Sequence, residues 1–222
     1  MAGLSSQRKY KRIIINPYIT MSVDTTLIAK LRNRTGAGVL DAKKALDEAE
    51  GDIEKAIQIL KDKGAIKAAK KSDREAHEGI IASYVHHNGK LAALLELSCE
   101  TDFVARTDEF KALADDLALQ VAAMNPEFVS PETIPAEEVE KMKAELMKEM
   151  AEDNKPDDIK EKIVTGKLEK WYSEVCLTKQ EFIKDDTKTI EQLLQEKIST
   201  IGENIVPTRF RRLHLEAALG AC

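Results

Sequence analysis

A chain of 222 residues is long enough for one sizeable domain with a small companion, or for two modest domains. Aromatic residues make up only 5% and charged residues 33%, with Ala, Leu, Lys and Glu prominent, which argues against a sandwich or barrel and for a helix-rich fold. A net charge of -5 argues against a broad basic face for direct nucleic-acid binding, and no run of about 18 apolar residues occurs that would span a membrane.

Residues 1–22 read as a leader, expected to be disordered: they carry the basic cluster Arg8, Lys9, Lys11, Arg12 and the short run Ile13, Ile14, Ile15. Basic, acid-poor leaders include targeting presequences, but a compact amphipathic Arg/Ser pattern is missing, and Met21 is an alternative start. Residues 23–66 read as a three-helix N-terminal domain. Leu27, Ile28 and Leu31 share a face after the capping candidates Ser22 and Asp24, and Thr35-Gly36-Ala37-Gly38 breaks this first helix because glycine reaches backbone angles other residues avoid. Ala42, Ala45, Leu46 and Ala49 mark a second helix. Gly51-Asp52 ends it and caps a third, in which Ile53, Ala56, Ile57 and Leu60 repeat the spacing until Gly64.

Residues 67–78 are basic and poor in apolar bulk, as expected of a linker, and 79–217 read as an α+β core and dimerisation domain, with 218–222 as a tail. Gly79 to Val85 and Leu91 to Leu97 flank His87-Asn88-Gly89-Lys90, where Asn-Gly is a strong hairpin signal since both residues tolerate positive φ. Phe110, Leu113, Ala114, Leu117 and Val121 predict a helix that stops before Asn125-Pro126. Further helices are predicted through Val139, Met142, Leu146 and Met150, after Pro156 through Val164, Leu168, Trp171 and Val175, and through Ile190, Leu193, Leu194 and Ile201 up to Gly202. Ile205 to Leu215 has strand character, with Pro207 confined to a strand start or an edge, and completes a small, three-stranded antiparallel sheet, since a lone hairpin is marginal in water.

Covalent chemistry is poorly supported. The three cysteines, Cys99, Cys176 and Cys222, are odd in number and lack paired metal spacing, which argues against a disulfide framework or metal site and for a reducing cytoplasm. His86, His87 and Cys99 are the candidate bases and nucleophile, but no orienting acid stands at an informative spacing. The glycine turn lacks both the preceding strand and the Lys-Ser/Thr of a phosphate loop. No catalytic residue or cofactor is implied, and composition and spacing alone reach a two-domain binding protein. Phe103 stands apart, because it falls outside both the alternating run before it and the helical run after it.

Specific residues carry the reading further. Leu31-Arg32-Asn33-Arg34-Thr35-Gly36-Ala37-Gly38, Asp41-Ala42-Lys43-Lys44-Ala45-Leu46, Gly51-Asp52-Ile53-Glu54 and Lys63-Gly64-Ala65-Ile66-Lys67-Ala68-Ala69-Lys70-Lys71 closely resemble the N-terminal domain of the translation elongation factor Ts family. Thr101-Asp102-Phe103-Val104-Ala105 is similar to that family's second signature, and Ile201-Gly202-Glu203-Asn204-Ile205 to its C-terminal one. The resemblance implies a guanine nucleotide exchange factor for elongation factor Tu, which is not an enzyme, with an N-terminal domain of the ubiquitin-associated type. It implies that Asp102 and Phe103, with Thr101 and Val104 beside them, are pressed against the GTPase, Phe103 entering an apolar pocket and disturbing the magnesium site. It also implies contacts from Arg32, Val39 and Leu40, with Lys43 and Lys71 as further candidates.

For Phe103 the alternative is a staple at a strand-to-helix corner, for Asp102 a turn cap, for Val104 a buried neighbour, and for Val39-Leu40 the core of the small bundle. Gln120 stands where many relatives have His, which places a second partner contact in question. One sheet-bearing subdomain replaces the two of longer relatives, no inserted coiled coil is expected, and a homodimer is the expected cover for the open sheet face. A peptide-binding adaptor and a cysteine enzyme are the competing classes; the first would not need Phe103, and the second would depend on Cys99.

Overall fold

A computed structural model describes residues 25–150 and 156–215, so the leader, the candidate caps Ser22 and Asp24, and the tail lie outside the described residues. Helix α1 (Thr25–Thr35) and helix α2 (Val39–Glu48) pack together, followed by α3 (Ile53–Ala69). The first compact unit runs to Ile57 and the second begins at Gln58. In the first unit Leu31, Ala42, Ala45, Leu46, Ala49 and Ala56 are buried, the alanines letting the helix axes approach closely. Asp52 caps α3, its carboxylate accepting from Glu54 N at 2.9 Å and Lys55 N at 3.2 Å. Expected to end at Gly64, α3 instead continues to Ala69. A mid-helix glycine costs only about 1 kcal/mol, and the alanine-rich turn beyond it restores helix propensity.

The second unit is built on strands β1 (Glu78–Val85) and β2 (Leu91–Cys99), the one-turn helix α4 (Asp102–Ala105), and α5 (Asp108–Met124). Then come α6 (Ala136–Glu149), α7 (Asp157–Val175), the short strands β3 (Glu181–Phe182) and β4 (Asp185–Thr189), α8 (Ile190–Ile201) and β5 (Ile205–His214). The predicted α+β class and three-stranded antiparallel sheet are both present, in the order β1-β2-β5. Pro207 lies where its missing N–H is tolerated, on an edge strand and at the register shift opposite Glu96 and Leu97. The β1–β2 connection differs from the simplest Asn-Gly turn. Gly89 takes φ 68 while Asn88 does not enter positive φ; its side chain instead accepts from Lys90 N at 2.9 Å.

Helix α5 lies across one sheet face, where Phe110, Leu113, Ala114, Leu117, Ala118 and Val121 meet Ala82, Ala93, Leu95 and Leu97 in the main core. Helix α8 joins this core through Ile190, Leu193, Leu194 and Ile198. Its start carries a reciprocal cap: Thr189 Oγ1 accepts from Gln192 N at 3.3 Å, and Gln192 Oε1 accepts from Thr189 N at 3.1 Å. Helices α6 and α7 pack on each other with a small cluster of their own, Leu146, Val164 and Leu168 flanked by Met142, Met150, Trp171 and Tyr172. Both helices are predicted from their apolar spacing, and they pair because each carries an apolar stripe too narrow to be buried alone.

Candidate functional site

The distinctive side chains stand on two helix starts. On the first unit, Thr35 closes α1: its hydroxyl donates to Leu31 O at 2.8 Å and accepts from Ala37 N at 3.3 Å. Gly36 turns the chain at φ 67, and Arg32 Nε donates across the turn to Ala37 O at 3.3 Å. Gly38 has an ordinary extended backbone, so only one of the two glycines supplies the special angle expected of the pair. Helix α2 then opens with Val39 and Leu40, 51% and 73% exposed, before Ala42 turns inward. Their reading as bundle core is therefore corrected; the core is filled by the next turn. Arg32 and Lys43 are also exposed, leaving two apolar side chains between two cations.

On the second unit, Thr101 caps α4, its hydroxyl accepting from Val104 N at 3.4 Å. Asp102 follows at the first helical position, where a carboxylate is favoured by the helix dipole, and pairs with Arg106 at 2.7 Å. Phe103 is 78% exposed, the most exposed of the large apolar side chains among the described residues. That corrects the corner-staple alternative: the corner is held by Ala105, which is buried, and by Val104, which is half-buried against the main core as its alternative reading anticipated. A phenyl ring held in water on a capped turn has no use in the fold that burial would explain.

Two further candidates sit differently. Lys71 turns toward the end of α8, Nζ donating at 3.4 Å to Ile198 O, which also accepts from Gly202 N at 3.0 Å, a favourable place for a cation at a helix C-terminus. Burial and the nearby charge of Arg74 push its pKa below the ordinary lysine value. Gln120 is fully buried, which corrects its expected place among surface contacts. Its amide donates to Gln180 Oε1 at 3.2 Å and Glu181 O at 3.0 Å, and its carbonyl accepts from Ile183 N at 2.9 Å. It pins the β3–β4 hairpin to α5, where the helix leaves no room for a partner to reach it.

A group missing from the expected site residues is Glu203. Its carboxylate accepts from Glu100 N at 3.1 Å, Thr101 N at 3.0 Å and the Thr101 hydroxyl at 2.7 Å. Nothing in periodicity marks it, although it lies inside the Ile201-Gly202-Glu203-Asn204-Ile205 run. The cysteine-enzyme geometry is not formed. Cys99 ends β2 while His86 adjoins its start, about 27 Å away along an extended strand. His86 Nδ1 is bonded to Tyr84 Oη at 2.9 Å, and Cys99, buried and near Glu203, has its thiol pKa pushed up to about 11.

Fold and site together define an α+β protein of two units, each of which exposes apolar side chains at a capped or glycine-led helix start. The family model described as Elongation factor TS matches residues 26–203. Similar proteins include elongation factor Ts of Fervidobacterium nodosum, 50% identical over 195 residues that cover 88% of this chain and 99% of the relative. That of Thermotoga petrophila is 55% identical over 195 residues, 88% of this chain and 97% of its own length. That of Thermotoga neapolitana is 56% identical over 192 residues, 86% and 96% respectively. The chain belongs to the elongation factor Ts family, and so to the translation elongation factors.

Proposed function

We propose that this protein is a guanine nucleotide exchange factor: it binds elongation factor Tu in its GDP-bound form, promotes GDP release by disturbing the magnesium and phosphate site, and lets GTP rebind. The observation that carries this reading is Phe103, exposed on a turn whose polar groups are satisfied from within the chain. Burying such a ring in a partner's pocket is worth about 1.5 to 3 kcal/mol, which gives it the character of an interface anchor. Asp102 and Thr101 shape the turn, Val104 roots it, and Arg32, Val39, Leu40 and Lys43 form a second contact on the first unit. Lys71 is a weaker candidate, given its bond to α8. The parts proposed to work are residues 23–66 and 79–217, in the cytoplasm.

Exchange makes and breaks no covalent bond, so the protein needs no catalytic residue. Factor and GDP each weaken the other's hold on the GTPase, and linkage makes that weakening equal in both directions. A thousandfold acceleration of release requires contacts made in the releasing state to supply about 4 kcal/mol beyond those made at encounter. Phe103 and the Val39-Leu40 pair together are of that order.

We also propose that the protein acts as a homodimer through the sheet face opposite α5. Cross-strand neighbours there are Ile81, Glu96 and Arg209 in one row, Ser83, Leu94 and Arg211 in the next, and Val85, Ala92 and Leu213 in the last. Ile81, Val85, Leu94 and Leu213 are each more than half exposed, which an open antiparallel face tolerates poorly. Sedimentation in reducing buffer is expected to give about twice the 24.7 kDa chain mass; a monomer at tens of micromolar with full activity contradicts this.

The exchange reading is tested by calorimetric titration into elongation factor Tu with and without bound GDP. Binding to the nucleotide-free GTPase is expected to be much tighter, with added GDP expelling the factor. Equal affinity for both forms would mean a passive binder of the adaptor type, for which Val39-Leu40 suffices and Phe103 is idle.

A further inference from the structure

Helix α4 cannot hold Phe103 in place by itself. It spans four residues, a single turn, and the first turn of a helix is unfavourable on its own. Its bracing comes from a stretch about a hundred residues away. Beyond Cys99 opposite Ile205, the last rung of the β2–β5 ladder, side-chain carboxylates take over the pairing in a crossed arrangement. Glu203 accepts from the backbone of Glu100 and Thr101, while Glu100 in return accepts from Asn204 N at 2.6 Å. The Asn204 amide goes on to donate to Arg74 O at 2.8 Å and Ser72 O at 3.4 Å. Gly202 closes α8 in the left-handed conformation, φ 92, and so sets where Glu203 leaves the helix.

The hydroxyl of Thr101 links this clamp to the turn that carries Phe103. By donating to Glu203 Oε1 at 2.7 Å it directs its lone pairs toward Val104 N, the donor it caps. Donation into a carboxylate polarises the hydroxyl and strengthens it as an acceptor, so bracing and capping reinforce each other. We propose that Glu203 is a positioning residue for exchange: through Thr101 and the Glu100 backbone it fixes the angle at which α4 presents Phe103. This rests on the exchange reading, and it assigns Glu203 no contact of its own with the GTPase.

The test is a double-mutant cycle on stimulated GDP release from elongation factor Tu, using the full chain as wild type, Phe103→Ala, Glu203→Ala and the double variant. Saturating rate and half-saturating concentration are read separately. Glu203→Ala is expected to lower the saturating rate by about tenfold or more, as misplacing an anchor by about 1 Å does, with a smaller change in half-saturation. In the Phe103→Ala background the same change is expected to add less than about twofold, because the residue acts through a ring no longer there. Glu203→Gln is expected to recover only part of the rate: its amide oxygen still accepts from the two backbone N–H groups, but its NH2 replaces the oxygen that accepts from the Thr101 hydroxyl. Should Glu203→Ala fold poorly by circular dichroism, Thr101→Val, which removes only the hydroxyl, takes its place in the same cycle. An equal loss in both backgrounds, or no loss in either, overturns the positioning role. Full release by Phe103→Ala itself overturns the exchange reading instead, so the two failures are distinguishable.

Discussion

Replacing Phe103 by Ala separates an anchor from a structural residue, because the ring contributes almost nothing to the core. It is 78% exposed, so of the about 1.5 to 3 kcal/mol that full burial of a Phe provides, about 1.2 to 2.3 kcal/mol is still to be gained on docking. If that gain is made in the state that releases GDP, its loss slows stimulated release by about eight- to fiftyfold. Folding loses little: an exposed substitution falls within about 0.5 kcal/mol, or about 1 to 2 °C in melting temperature for a chain of this size. The assay is release of a fluorescent GDP analogue, run beside thermal melts of the same preparations. A large fall in melting temperature with release preserved would refute the reasoning and return Phe103 to the fold.

Leu40→Asp is expected to weaken the complex with elongation factor Tu by about tenfold without loss of helix by circular dichroism, since it removes an exposed apolar contact worth about 1.5 kcal/mol or more and adds a charge. Gln120→Leu is expected to lower stability by about 1 to 3 kcal/mol, because Glu181 O and Ile183 N lose a buried partner, while release per folded molecule stays within about twofold; normal stability with defective release would place Gln120 at the interface after all. Burial pushes both Cys99 and Cys176 to about 11, above the ordinary thiol value near 9. The neutral thiol is thus favoured by folding: this stability is fully present below about pH 9 and is lost as pH rises through about 11, read as a falling urea midpoint that Cys99→Ala together with Cys176→Ala flattens.

Helices α1, α2, α5 and α8 were legible because each buries one face, and the 3.6-residue spacing of Ala42, Ala45 and Leu46, or of Phe110, Leu113 and Leu117, records that face directly. The β1–β2–β5 sheet was legible from a turn signal and from the need for a third strand. The β3–β4 hairpin was not: Glu181-Phe182 is too short to alternate, and Asp185 to Thr189 is polar throughout. What holds it is Gln120, a tertiary bond that leaves no local pattern. Phe103 was legible as an exception to both neighbouring periods. Glu203 was not, since its partners lie about a hundred residues away and only the pairing of β2 with β5 brings them together. Gln120 entered the candidate site only because many relatives of the resembled family have His there, and the buried partners that hold it, Gln180, Glu181 and Ile183, lie about sixty residues away, where no local pattern records them.

The most direct measurement is stopped-flow release of a fluorescent GDP analogue from elongation factor Tu as the concentration of this protein is raised. The account predicts a release rate that climbs with concentration and saturates far above the spontaneous rate, in the presence of magnesium. Complex formation with release fixed at the spontaneous rate at every concentration would contradict it.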